Sequence, residues 1–208
     1  MTLKNLTVVS VLGFAALGTM AIANASAQQS AAAPTSASTA GANYKIDDVH
    51  SSALFRVHHL GAGQFWGRFN AVSGSMAFNA AGEPTSFDVS IATDSVDTAE
   101  AKLDGHLKSP DFFNTKEFPT MTFKSDSVSK KPDGSLEVTG SLTMHGVTKK
   151  ITAALEVTGI ADMGMGARAG VEATFTVNRS DFGMRYGLEK RTLGDAVRVI
   201  VSLEGNRG

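Results

Sequence analysis

The sequence predicts an all-β domain, an eight-stranded antiparallel up-and-down barrel, and three observations carry that prediction. Apolar and polar residues alternate with period two through most of the chain beyond residue 43, as strands with one wet face do. Turn-forming sequences join successive runs, so neighbours in sequence become neighbours in space. Several runs reach ten or more residues, against ~5–6 for ordinary strands, and long meandering strands favour a closed barrel over a sandwich.

The residues before the barrel read as an address. Lys4 precedes an apolar stretch from Leu6 to Ile22, and Ala25-Ser26-Ala27 fits a small-x-small cleavage site. Residues 1–27 are therefore expected to be a signal peptide, cut before Gln28. A membrane anchor is the alternative, since the run approaches the ~18 residues that make spanning plausible. The cleavage site and the lack of a basic stop-transfer cluster favour export. Residues 28–42, QQSAAAPTSASTAGA, hold no large apolar side chain and read as a disordered Ala/Ser/Thr spacer. The folded domain then spans residues 43–206, about 165 residues, enough for one sizeable core. The chain has no cysteine, which removes both a disulfide framework and lipid attachment through a thiol. Its formal charge of -1 and dispersed Lys and Arg argue against a nucleic-acid partner.

The elements follow in order. Weak alternation runs through Phe55–His59 and Arg68–Phe78, and Ala80-Ala81-Gly82-Glu83-Pro84 turns the chain. Phe87, Val89 and Ile91 face one side, with Ser86, Asp88, Ser90 and Ala92 on the other. A short helix is expected near residues 99–108, from about Ala99 to Leu107, with Glu100 and Asp104 supporting its first turns and Leu103 and Leu107 forming an apolar edge. Pro110 stops it. After an aromatic block, Met121–Val128 alternates weakly and Lys131-Pro132-Asp133-Gly134 turns. Leu136, Val138, Leu142 and Met144 then oppose Glu137, Thr139, Ser141 and Thr143. The tight step His145-Gly146 leads to Val147, Ile151, Ala153, Leu155 and Val157 on the next apolar face. Residues between Gly159 and Gly170 are rich in Met and Gly and read as a loose rim loop. Val171, Ala173, Phe175 and Val177, then Val197, Val199, Val201 and Leu203, complete the set.

The presumed inner faces mix bulky Phe55, Phe87, Phe123 and Phe175 with small Ala71, Ala77, Ala153, Ala173 and Gly140. Small residues leave volume unless large ones fill it from across, so a partly open apolar tunnel is expected, with a fully packed core as the alternative. Phe112, Phe113 and Phe118 crowd between Pro110 and Pro119. They either cork one end of the barrel or line the mouth of its cavity. Motifs that carry chemistry are scarce: there is no G-x-S-x-G, no H-E-x-x-H, no phosphate-binding glycine loop and no cysteine nucleophile. The histidines are His50, His58, His59, His106 and His145. His58 and His59 point to opposite faces of a strand and cannot share one ion in the usual way, and His145 in its turn is solvent-facing or capping.

Tyr44-Lys-Ile-Asp-Asp-Val-His-Ser, Val57-His-His-Leu, Gly67-Arg-Phe-Asn, Ser95-Val-Asp-Thr, the His106–Phe123 block, Gly140-Ser-Leu-Thr-Met-His-Gly-Val-Thr and Asn178-Arg-Ser-Asp-Phe-Gly-Met stand in an order and spacing that resembles the YceI-like family. The resemblance covers about Tyr44 to Glu204. It implies a lipocalin-like barrel and an exported, non-enzymatic periplasmic carrier or store of a polyisoprenoid or similar long-chain amphiphilic lipid, quinone-like lipids included. No cofactor, metal or catalytic residue is implied. The lining expected for the lipid is Phe55, Val57, Phe87, Val89, Ile91, His106, Phe112, Phe113, Phe118, Phe123, Leu142, Met144, Leu155, Phe175, Arg179 and Phe182. Arg179 either pairs with Asp181 or meets a polar head group. Transient membrane contact and a homodimer stay open, as do an envelope interaction module with a filled barrel and a His-based metal enzyme.

Overall fold

The structure, a computed structural model, describes residues 41–208; the expected signal peptide and all of the spacer up to residue 40 lie outside the described residues. Eight long staves make a closed antiparallel barrel, and the first three staves are each broken in two. β1 (Ala42–Ile46) and β2 (Ser52–His59) lie end to end along the last strand, β11 (Leu193–Arg207): Tyr44 pairs with Arg207, and Val57 with Val197. β3 (Gly63–Phe69) and β4 (Val72–Phe78) form the second stave. β5 (Pro84–Ala92), a 3-10 turn at Thr93–Ser95 and β6 (Val96–Asp97) form the third. Five unbroken strands follow: β7 (Thr120–Lys130), β8 (Leu136–Met144), β9 (Val147–Asp162), β10 (Ala167–Asn178) and β11. The order around the barrel is β1-β4-β5-β7-β8-β9-β10-β11, and β1 closes it against β11. Closure leaves these strands without an open edge, which is how a meander avoids pairing with other chains.

The breaks explain where alternation misleads. Phe69 points inward, but Asn70 and Ala71 both face solvent before Val72 turns in, so the phase flips by one residue. Val72, Met76 and Phe78 therefore fill the interior, and Ala71 and Ala77, expected inside, lie on the outer face. The Met/Gly-rich stretch is likewise no loose loop. β9 and β10 run on through it, paired from Asp162↔Ala167 downward, and only residues 163–166 turn, using Gly164 (φ 84°) and Gly166 (φ 93°). At the domain boundaries, Ala42 pairs with Phe78 and belongs to β1 rather than to the spacer, and β11 continues through Arg207.

Buried side chains gather in two clusters, one towards each end. Tyr44, Ile46, Met76, Phe78, Val138, Val171 and Leu203 seal the end where β1 closes the barrel, with Tyr44 edge-on to Phe78 at 5.4 Å between ring centroids. Phe55, Phe69, Val96, Leu107, Phe112, Met144, Phe182 and Met184 pack the other end, beneath the helix. That helix, α1 (Ala101–Leu107), starts later than expected. Ala99 has φ 59°, and Glu100 is the N-cap, its carboxylate accepting from Lys102 N (3.2 Å) and Leu103 N (2.7 Å). Asp104 instead holds the approach to the helix, accepting from Thr98 N (2.8 Å) and Thr98 Oγ1 (2.6 Å).

Candidate functional site

Inside the barrel lies a cavity of about 630 Å³, within the ~300–1,000 Å³ of small-molecule sites. Phe87, Val89, Val138, Leu155 and Val171 line it in the sealed half, and Val57, Leu142, Met144 and Val177 towards the helix. Its polar lining side chains are few: Thr122, His59, His106, Arg179, Tyr186 and Thr192. His59 and Tyr186 line the cavity and are also exposed, so it meets solvent at the helix end.

Two glycines keep this space open. Phe55 pairs across the sheet with Gly67, and a Cβ on Gly67 would stand 2.3 Å from the Phe55 ring. A Cβ on Gly140 would stand 2.6 Å from the Phe123 ring and 2.4 Å from the Lys124 carbonyl. Each ring occupies the room its glycine leaves. Gly140 thus spares cavity volume by seating a ring in the wall, rather than by leaving a gap of its own as its place among the small residues suggested.

An aromatic cluster builds the mouth. His106 lies edge-on to Phe112 (5.0 Å) and to Tyr186 (4.9 Å), Phe112 meets Tyr186 at 5.2 Å, and Phe113 meets Phe69 edge-on at 5.0 Å. His106 Nε2 also lies 2.9 Å from the Asp111 carboxylate, which fixes the ring from the solvent side. Leu103 and Leu107, the apolar edge of α1, border the same space.

Of the side chains named from sequence, Phe55, Val57, Phe87, Val89, Ile91, His106, Phe112, Phe113, Phe123, Leu142, Met144, Leu155, Phe175 and Arg179 line the cavity. Phe118 and Phe182 do not. Phe118 lies tilted against His145 at 4.7 Å between ring centroids and covers Gly146, outside the lumen. Phe182 is 1% exposed and packs in the core beside the cavity. Tyr186 and Leu193 line the mouth without having been singled out, and so does His59, which was weighed only as a metal ligand. Tyr186 sits in a stretch with no strand or helix period, and its only signal is an aromatic among charged neighbours.

Arg179 is 4% exposed and does not pair with Asp181. Its Nε donates to Gly194 O (2.8 Å), Nη1 to Met184 O (3.1 Å) and Nη2 to Leu193 O (3.2 Å). Burial pulls its pKa below the usual guanidinium range, with Asp195 opposing. Asp195 itself accepts from Ser180 N and Oγ. Arg179 thus ties the 184–194 segment to the end of β10 while its side chain borders the cavity.

The histidines disperse. His58 meets Gln64 (3.0 Å), and His145, in a two-residue turn with φ 51°, donates from Nδ1 to the carbonyl of Phe182 (3.0 Å). The carbonyl requires the Nδ1–H tautomer, so His145 caps rather than faces solvent. Among the described residues, one acid–histidine cluster, Asp47, His50 and Glu204, brings its ligand atoms within 4.8 Å of one another. Arg168 stands 3.2 Å from Glu204 and 3.6 Å from Asp47, so a guanidinium already supplies the positive charge there.

Comparison with known proteins places this geometry. The model of the YceI-like domain matches residues 44–205. A UPF0312 protein of Pseudomonas aeruginosa is 38% identical over 177 residues, covering 83% of this chain and 91% of that one. The crystal structure of the Campylobacter jejuni YCEI protein is 31% identical, with a TM-score of 0.65, over 73% of this chain and 90% of that one. A polyisoprenoid binding domain from Saccharophagus degradans, implicated in plant cell wall breakdown, shares the fold at 18% identity and a TM-score of 0.61, over 79% of this chain and 98% of that one. With a domain match that spans both the sealed end and the aromatic mouth of the barrel, the chain belongs to the YceI-like family.

Proposed function

We propose that this protein is a non-enzymatic binder of a long-chain amphiphilic lipid, an isoprenoid or close analogue, which it carries or stores after export. The observation that carries the reading is the apolar cavity of about 630 Å³, sealed at one end and bordered by polar side chains at the other. A filled barrel acting only through its outer face leaves that volume unexplained. Each buried methylene contributes about 0.8 kcal/mol, so an isoprenoid tail binds firmly without specific hydrogen bonds. The head group then sits among His59, His106, Tyr186 and Thr192, where a quinone or similar acceptor finds donors. The expected signal peptide supports a periplasmic setting, and the polyisoprenoid in the name of the Saccharophagus domain supports the lipid class.

Organic extraction of natively purified protein followed by mass spectrometry tests the reading. A prenyl or other long-chain lipid at near-stoichiometric amount is expected. Protein that purifies empty from repeated preparations and takes up no prenyl lipid overturns it.

A further inference from the structure

The outer surface beside the mouth carries a feature that the cavity does not account for. Among the described residues six large apolar side chains are exposed, and three of them, Leu60 (62%), Trp66 (43%) and Tyr186 (49%), fall on the β2–β3 hairpin and the loop next to it. The two segments are joined: Leu60 N donates to Thr192 O at 2.8 Å, and Leu193 pairs with His59. Leu60 (φ 50°) and Gly61 (φ 68°) form the tight turn of the hairpin, closed by Ala62 N donating to His59 O at 3.1 Å, and the Leu60 side chain is exposed there.

Basic residues surround these anchors. Arg198 on β11, Arg56 on β2 and Trp66 on β3 stand opposite one another in one cross-strand row, and the Arg56 guanidinium lies 5.7 Å from the Trp66 ring. Two arginines directly opposite each other repel, so the row is unfavourable to the barrel alone. Arg185, Lys190 and Arg191 extend the charge along the loop that carries Tyr186, with Glu189 the one acid in that stretch. Among the described residues none of these five cations is ion-paired, and Arg56 Nε is buried without a hydrogen-bond partner. At the three other exposed apolar sites, Val49, Met163 and Met165, the neighbouring cation Arg168 is already committed to Asp47 and Glu204.

We infer that the β2–β3 hairpin and the 185–192 loop form a docking face for an anionic lipid surface, which brings the cavity mouth against a bilayer. Charge complementarity selects the occupant: unpaired Arg and Lys attract acidic head groups, while Leu, Trp and Tyr are the side chains that settle at the membrane–water boundary. The inference concerns the outer face and stands whether or not the cavity holds a lipid.

Trp66 is the only tryptophan in the chain, so it reports on its own face. Purified protein is mixed with phosphatidylcholine vesicles with and without phosphatidylglycerol, and binding is read by co-flotation and by Trp66 emission. Binding to the anionic vesicles alone is expected, weakening with salt, with a blue shift of Trp66. Joint reversal of Arg191→Glu and Arg198→Glu should weaken it roughly tenfold or more, and Leu60→Asn, which tolerates the positive φ, should weaken it with folding retained. Lys149→Glu, Lys45→Glu, the same charge change on other strands, should leave most of the binding. Equal binding to neutral vesicles, no binding to anionic ones, an unshifted Trp66, or equal loss in the Lys149/Lys45 control overturns the inference.

Discussion

Phe112 and Phe113 are adjacent in sequence and do different things. Phe112 is 7% exposed and wedged against His106 and Tyr186, whereas Phe113 is half-buried and leans edge-on against Phe69. Both rings border empty space rather than only other side chains. Replacing both with Ala should therefore cost about 2 kcal/mol, less than the ~3–5 kcal/mol of a single Phe→Ala in a packed core, while lipid retained through purification falls severalfold. Denaturant unfolding and mass spectrometry on one preparation separate the two effects. A loss of several kcal/mol with cargo retained identifies a structural plug instead. Aromatic crowding made these two residues legible in sequence, and it pointed equally to Phe118. A turn closed by Phe118 N donating to Asn114 O carries Phe118 onto the His145-Gly146 turn between β8 and β9, and no residue spacing reveals that swing.

At the scale of elements, α1 depends on its cap because seven residues give it few internal hydrogen bonds. Glu100→Ala leaves Lys102 N and Leu103 N without their acceptor and should cost about 1 kcal/mol. Amide hydrogen exchange across α1 is expected to quicken by about fivefold, with β8 and β9 unaffected. Unchanged protection in α1 would mean that Leu103 and Leu107 alone hold it. The strands show the same division between what sequence displays and what it conceals. β8 alternates from Leu136 to Met144 with no interruption, and its facing is plain. The second stave carries a phase flip at Asn70–Ala71, which only pairing with β5 and β1 reveals.

For the whole molecule, the closing seam holds an acid–histidine pair whose two pKa values are pushed apart. Asp47, in the bend between β1 and β2, faces β10 and β11: Asn206 Nδ2 donates to it at 3.1 Å, His50 Nδ1 at 3.0 Å, and its own N–H donates to Glu204 O at 2.8 Å. The hydrogen bond from His50 and then that from Asn206 hold its carboxyl at about 2, below the ordinary 3.8, while the Asp47 carboxylate raises His50 above 6.5. The Asp47 contribution is complete above pH 3.8 and vanishes as pH falls through about 2. The His50 contribution is complete below pH 6.5 and vanishes as pH rises through its elevated value. Stability gained from the pair is thus greatest between about pH 4 and 6.5. Denaturant midpoints against pH should show that plateau, and Asp47→Asn should flatten both of its shoulders. An identical profile in the variant would place the titration elsewhere. The barrel as a whole was legible from alternation and turns, but this seam was not, since Asp47 and its partner Asn206 are 159 residues apart in the chain.

The two glycines beneath Phe55 and Phe123 have a consequence for the calibre of the barrel. Aromatic bulk recessed into the wall takes no room from the lumen, so the bore is set by strand positions that carry no side chain. A single methyl at Gly67 would push the Phe55 ring toward the axis and narrow the channel. At Gly140 the Lys124 carbonyl blocks even that adjustment, because backbone rather than a movable ring stands 2.4 Å away. The girth of what fits inside is then written in residues that never touch it.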